Sequence, residues 1–207
     1  MMPVFYRRWC FLKQQSRPLL STMVALLLRL YLAPIFIYAG FNKWAHFEST
    51  VAWFGNSDWG LGLPAPTLFA VLAIGAEVLG GTLLLFGLAL RLAVLPLLVT
   101  MVVAAVTVHW PYGWSALADP QLVMPWEWRS DLISAAVERR EAARELLQRH
   151  GNYDWLTEAG PITVLKNGIE FCATYAIMLL SLLLIGAGQW LSVDYWLARY
   201  WQHRYSH

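Results

Sequence analysis

The chain has 207 residues, of which 58% are hydrophobic and only 14% charged, with a mean hydropathy of +0.48 and a net charge of +2. That composition excludes an ordinary soluble domain, and the small charge, without a dense basic patch, excludes a nucleic-acid partner. One membrane domain spanning residues 1–207 is the natural expectation. Cys10 and Cys172 stand far apart with no C-x-x-C spacing, so the sequence suggests neither a redox pair nor a disulfide framework.

Residues 1–21 carry Arg7, Arg8, Lys13 and Arg17 and no acidic residue. The apolar run 22–41 is longer than a signal-peptide core and lacks an A-x-A-like cleavage site, so it reads as a retained first span. Pro34 is tolerated inside a membrane helix, often with a kink. Residues 42–66 read as a polar-aromatic connector, with Trp44, Trp53 and Trp59 suited to the headgroup level and a Gly/Pro cluster closing it.

The second span, 67–90, has one ionisable group, Glu77, near its centre. Arg91 follows in a short turn, and the third span, 92–110, ends at His109–Trp110, so spans two and three form a hairpin. Residues 111–166 are the long excursion, with six basic and eight acidic residues. Within them, 131–150 has apolar residues at helical spacing, a supportive Glu145–Arg149 pair and Gly151 placed to end the helix. The fourth span, 168–188, precedes an aromatic tail, 189–207, that reads as an interfacial helix anchored by Trp190, Trp196 and Trp201. The expected fold is therefore an all-α, four-transmembrane-helix bundle with a helical extramembrane insertion between helices 3 and 4 and an interfacial C-terminal helix. The basic residues flanking the spans put both termini in the cytoplasm.

Small residues mark the packed faces. Ala73, Ala76, Glu77, Gly80 and Gly87 share one face of the second span, and Ala25, Arg29, Ala33 and Gly40 one face of the first. At 1.5 Å per residue Arg29 sits about 10 Å deep and Glu77 about 20 Å, within reach of a long arginine side chain. An Arg29–Glu77 ion pair is the structural expectation; a protonatable Glu77 serving proton or quinol chemistry is the functional one. A second cluster gathers at the outer end: Asn42, Lys43, His46, His109, Asn167 and Glu170. The functional reading is a small outward-facing site in which Glu170 and His109 accept a proton or ligate a metal ion; the structural reading is snorkelling and helix capping, and the spacing is not diagnostic of a metal. No nucleophile–base pair, P-loop, Rossmann glycine signature or haem motif is present, so a catalytic set stays unknown and the sequence offers no positive sign of an enzyme.

The segments LRLYLAPIFIYAGFNKWAHF, WFGNSDWGLGLPAP, IGAEVLGG, TVHWPYGW, HGNYDWLTEAGP and NGIEFCATYAIMLLSLLLIGAGQWLSVDYWL resemble the DoxX family of small four-span bacterial membrane proteins. The 111–166 insertion and the NGIEF and VDYW runs most resemble its HvfX subgroup, which accompanies copper-binding modified peptides and their maturation proteins. That resemblance implies an accessory protein of the bacterial cytoplasmic membrane in copper-peptide maturation, export, redox support or copper handling. Other family members imply a quinone-linked oxidoreductase subunit, with quinone or copper as the cofactors to consider; a small-solute transporter is a third class. Arg29 and Glu77 match charged positions typical of the family's first two spans.

Overall fold

The computed structural model describes residues 4–205, with side chains described from Pro18 onward. The side chains of Arg7, Arg8, Cys10, Lys13 and Arg17 therefore lie outside the described residues, as do the last two residues of the tail. Every regular element among the described residues is helical. The helices are α1 (Val4–Ala45), α2 (Phe47–Gly55), α3 (Pro66–Phe86), α4 (Leu90–Ala104), α5 (Ser130–His150), α6 (Tyr153–Thr157), α7 (Glu170–Ile185) and α8 (Val193–Tyr205). A π-helical turn, Ala105–His109, and a short 3-10 turn extend α4 to Tyr112.

Among the described residues three segments are long and apolar enough to cross a membrane: Pro18–Ala45, Pro66–Phe86 and Leu90–Tyr112. Each spans roughly 30 Å or more at 1.5 Å per residue. Glu170–Ile185 is apolar but has only 16 residues. The first helix overruns the expected 22–41 at both ends, because nothing between Pro18 and Ala45 breaks it. Pro18 and Pro34 both lie inside α1. The connector expected over 42–66 holds a nine-residue helix, α2, which buries Phe54.

The chain divides into two compact units. The first comprises residues 1–100 and 175–207. In it α1 and α3 run antiparallel and close together because glycines face the neighbouring helix. A Cβ at Gly40 would fall 2.6 Å from Val78 Cγ2, and one at Gly81 would fall 2.8 Å from Ile37 Cγ1. Gly80 faces Leu97 of α4 in the same way. With lipid outside, such close approach supplies much of the helix association. Ala25, Leu32, Ala33, Phe36, Leu84 and Leu97 form the buried centre. Three residues separate α3 from α4. Gly87 takes a left-handed conformation there and closes α3, its N–H reaching the carbonyls of Leu83 and Leu84.

The second unit comprises residues 101–174. Its frame is a pair of segments, 113–118 and 164–170, joined by backbone hydrogen bonds and antiparallel where Leu117 faces Leu165. Ala118 N–H donates to Val164 O, Lys166 N–H to Ala116 O, Gly168 N–H to Ser115 O and Glu170 N–H to Trp114 O. Helix α5 buries Ile133 and Ala136, carries the Glu145–Arg149 pair at 3.8 Å and ends at Gly151.

Candidate functional site

In the first unit Arg29 and Glu77 do not meet. Arg29 is 2% exposed and spends its guanidinium on backbone carbonyls: Nε to Leu84 O at 2.7 Å, Nη2 to Leu85 O at 2.7 Å, and Nη1 to Ala187 O and Leu191 O at 2.9 Å each. The last carbonyls of a helix lack partners within it, and an arginine fork is shaped to take several at once. Gly87 makes room for this, since a Cβ there would lie 2.7 Å from Arg29 Cζ. Asp194 adds a second fastening nearby, its carboxylate accepting from Ala89 N–H at 2.7 Å and Leu90 N–H at 3.2 Å. Arg29 is thus a clasp between the end of α3 and the segment leading into α8.

Glu77 instead pairs with Lys43. The ammonium lies 2.8 Å from Oε1 and 2.7 Å from Oε2. The Glu77 side chain is 6% exposed and that of Lys43 27%. The expected Arg29–Glu77 pair is therefore corrected to Lys43–Glu77. The physical reason is register: Gly40 stands against Glu77 and Val78, so Lys43, one turn further along α1, reaches back to the carboxylate. Arg29 meanwhile lies opposite the end of α3, about two turns from Glu77. Lys43 was expected among the outer-end residues, and its position near the end of α1 fits that, but its side chain runs inward.

The other outer-end residues make local bonds. His46, between α1 and α2, has Nδ1 3.0 Å from Asn42 O in the last turn of α1, and both residues are exposed. In the second unit His109 Nδ1 lies 2.8 Å from Asn167 O, a contact that a protonated Nδ1 satisfies. Asn167 holds a left-handed backbone, with φ 65°. Glu170 Oε2 accepts from Ala116 N–H at 2.9 Å. Among the described residues no three His, Cys, Asp or Glu side chains group as metal ligands.

One arrangement has no sequence signal. Glu127 and Lys166 form an ion pair at 2.6 Å in the second unit, with side chains 0% and 3% exposed. Glu127 also accepts from the backbone N–H groups of Trp114, Ser115 and Arg129 at 3.1, 2.8 and 2.8 Å. Burial pushes its carboxyl upward, but the Lys166 ammonium and the Ser115 and Arg129 amides outweigh it and hold the pKa at about 2. The two residues stand 39 apart in sequence, a separation that matches no motif spacing, which is why the sequence was silent.

Long apolar helices fastened by glycine contacts and internal charge define a multi-pass membrane protein. Residues 24–110, from within α1 to near the end of the third span, match the DoxX family model. A Bacillus subtilis (strain 168) protein named "Putative oxidoreductase CatD" is 36% identical over 83 residues, 40% of this chain. The alignment spans 58% of that relative's length. No solved structure matches.

Proposed function

We propose that the protein is the membrane-embedded part of a quinone-linked redox system, in which Glu77 handles protons. The observation that carries this reading is the Lys43–Glu77 pair. It is a single carboxylate on a membrane span, held by one lysine whose ammonium side is partly open. Reduction of a quinone takes two electrons and two protons; a partner enzyme would supply the electrons. Lys43 would donate a hydrogen bond to a quinone oxygen, and Glu77, protonated from water before each transfer, would relay the two protons to the quinone oxygens one at a time. The name of the Bacillus subtilis relative points to the same class of chemistry. The copper-peptide expectation rests on residues 111–166 and on the NGIEF and VDYW runs, which lie outside the matched segment 24–110, and it gains no support from the comparisons. Transport gains none either.

In this reading α7 makes a fourth crossing of a bacterial cytoplasmic membrane and α8 lies at its inner surface. Arg91, Arg199 and Arg204 then share the cytoplasmic side with the N-terminal arm, in keeping with the positive-inside rule. The test is quinone content and proton-linked reduction of the protein purified from native membranes, for wild type and Glu77→Gln. Quinone with the wild type and loss of proton-linked reduction in the variant are expected. A wild type free of quinone, or a variant as active as wild type, overturns the proposal.

A further inference from the structure

The segment after the third span carries an apolar ridge with its one charge turned inward. Residues 122–128 read Leu-Val-Met-Pro-Trp-Glu-Trp. Leu122 is 63% exposed, Val123 41%, Met124 38%, Trp126 57% and Trp128 39%. The Glu127 carboxylate, by contrast, is fully enclosed by Lys166 and three backbone amides. The outward surface of the ridge is therefore charge-free. A contiguous exposed apolar patch of this kind marks a contact surface.

Its position names the partner. Trp110 belongs to the last turn of the third span, and the Trp128 ring lies 4.8 Å from it, centroid to centroid. The Trp128 indole N–H donates to Trp110 O at 3.3 Å, and Arg129 Nη1 donates to Pro111 O at 2.6 Å. The ridge is thus tied to the point where the span leaves the hydrocarbon, the level at which indole rings are favoured. The chain turns polar directly afterwards, with the Arg129–Asp131 ion pair at 2.9 Å.

We propose that the Leu122–Trp128 ridge is a lipid-contacting anchor, seated in the interface of the leaflet where the third span ends. The surface fits lipid glycerol and upper acyl chains, and it brings the start of the extramembrane segment down onto the bilayer. The enclosed Glu127–Lys166 pair is what permits this, since an outward carboxylate at that position would hold the ridge in water.

The experiment uses the full chain in phosphatidylcholine vesicles, on a Cys10→Ser, Cys172→Ala background. Met124→Cys carries an NBD fluorophore, with Gln148→Cys on the exposed face of α5 as the solvated reference and Val123→Cys as a second ridge position should the first fail to reconstitute. The ridge label is expected to emit further to the blue than the reference, to be reduced by dithionite several-fold more slowly, and to be quenched by phosphatidylcholine spin-labelled near the headgroup. Dithionite reduction as fast as at Gln148 overturns the proposal. So does slow reduction without quenching by spin-labelled lipid, which would mean that protein, a second copy or another part of the chain, covers the ridge.

Discussion

Lys43–Glu77 in the first unit and Glu127–Lys166 in the second are both lysine–carboxylate pairs, closed to 2.7 and 2.6 Å. They differ in what else holds the carboxylate. Glu127 has three backbone donors besides its lysine: Trp114 and Ser115, in the segment paired with 164–170, and Arg129, two residues along its own chain. Glu77 takes its hydrogen bonds from Lys43, a side chain on a flexible stem that is 27% exposed. A carboxylate surrounded by rigid donors is locked in its ionised form. One held by a single movable cation changes state when that cation moves. The proposed proton chemistry needs the second kind, whereas fold specification fits the first.

The largest expected effect comes from breaking the locked pair. Lys166→Met leaves an enclosed carboxylate without its cation, a loss of about 3–5 kcal/mol. Hydrogen exchange should register it as lost protection at Ala118, Lys166 and Gly168, with the amides of α3 unchanged. Undiminished protection would show that the backbone donors suffice alone. Acid should undo the same hub more gently. Glu127 has a folded pKa of about 2, below its ordinary 4.5, so the stabilisation is complete above pH 4.5 and is lost as pH falls from there towards 2. It amounts to on the order of 3 kcal/mol. Exchange of the same amides measured from pH 6 down to about 2 checks it, and Glu127→Gln should flatten the dependence.

The contrast also explains which parts were legible in the amino-acid sequence. The three long apolar helices announce themselves by length and hydropathy, and α5 by its periodicity, its Glu145–Arg149 pair and Gly151. The packed face of α1 was legible from Ala33 and Gly40, and following that face one turn beyond Gly40 arrives at Lys43. Pairing Glu77 with Arg29 instead relied on a long side chain to bridge the roughly 10 Å between their depths, when Gly40 against Glu77 brings Lys43 nearer. The partners of Arg29 are carbonyls, which every residue carries, so no inventory of side chains can find them. The Glu127–Lys166 pair depends on two segments meeting across an insertion, a non-local event that no local spacing encodes. Helix α2 lies in a stretch rich in Trp and polar residues, where the composition of an interface hides helical periodicity.

The open pair should respond less to mutation, and its response separates structure from chemistry. Lys43→Met is expected to cost about 1–2 kcal/mol, because the remaining carboxyl can take a proton rather than stay buried and charged. Glu77→Gln keeps the shape and a hydrogen-bond acceptor for Lys43, and should cost about 1 kcal/mol or less. The double variant removes both charges, so its stability should exceed that of Lys43→Met, as when a buried pair is replaced by neutral groups of similar size. Thermal unfolding of the purified variants in one detergent orders the three. If the pair as a whole works only as a fastening, the stability recovered in the double variant brings activity back with it. If Glu77 handles a proton, the double variant regains stability and still fails in proton-linked quinone reduction, since glutamine cannot carry one. Recovery of both together would place Lys43–Glu77 beside Glu127–Lys166 as a second structural pair.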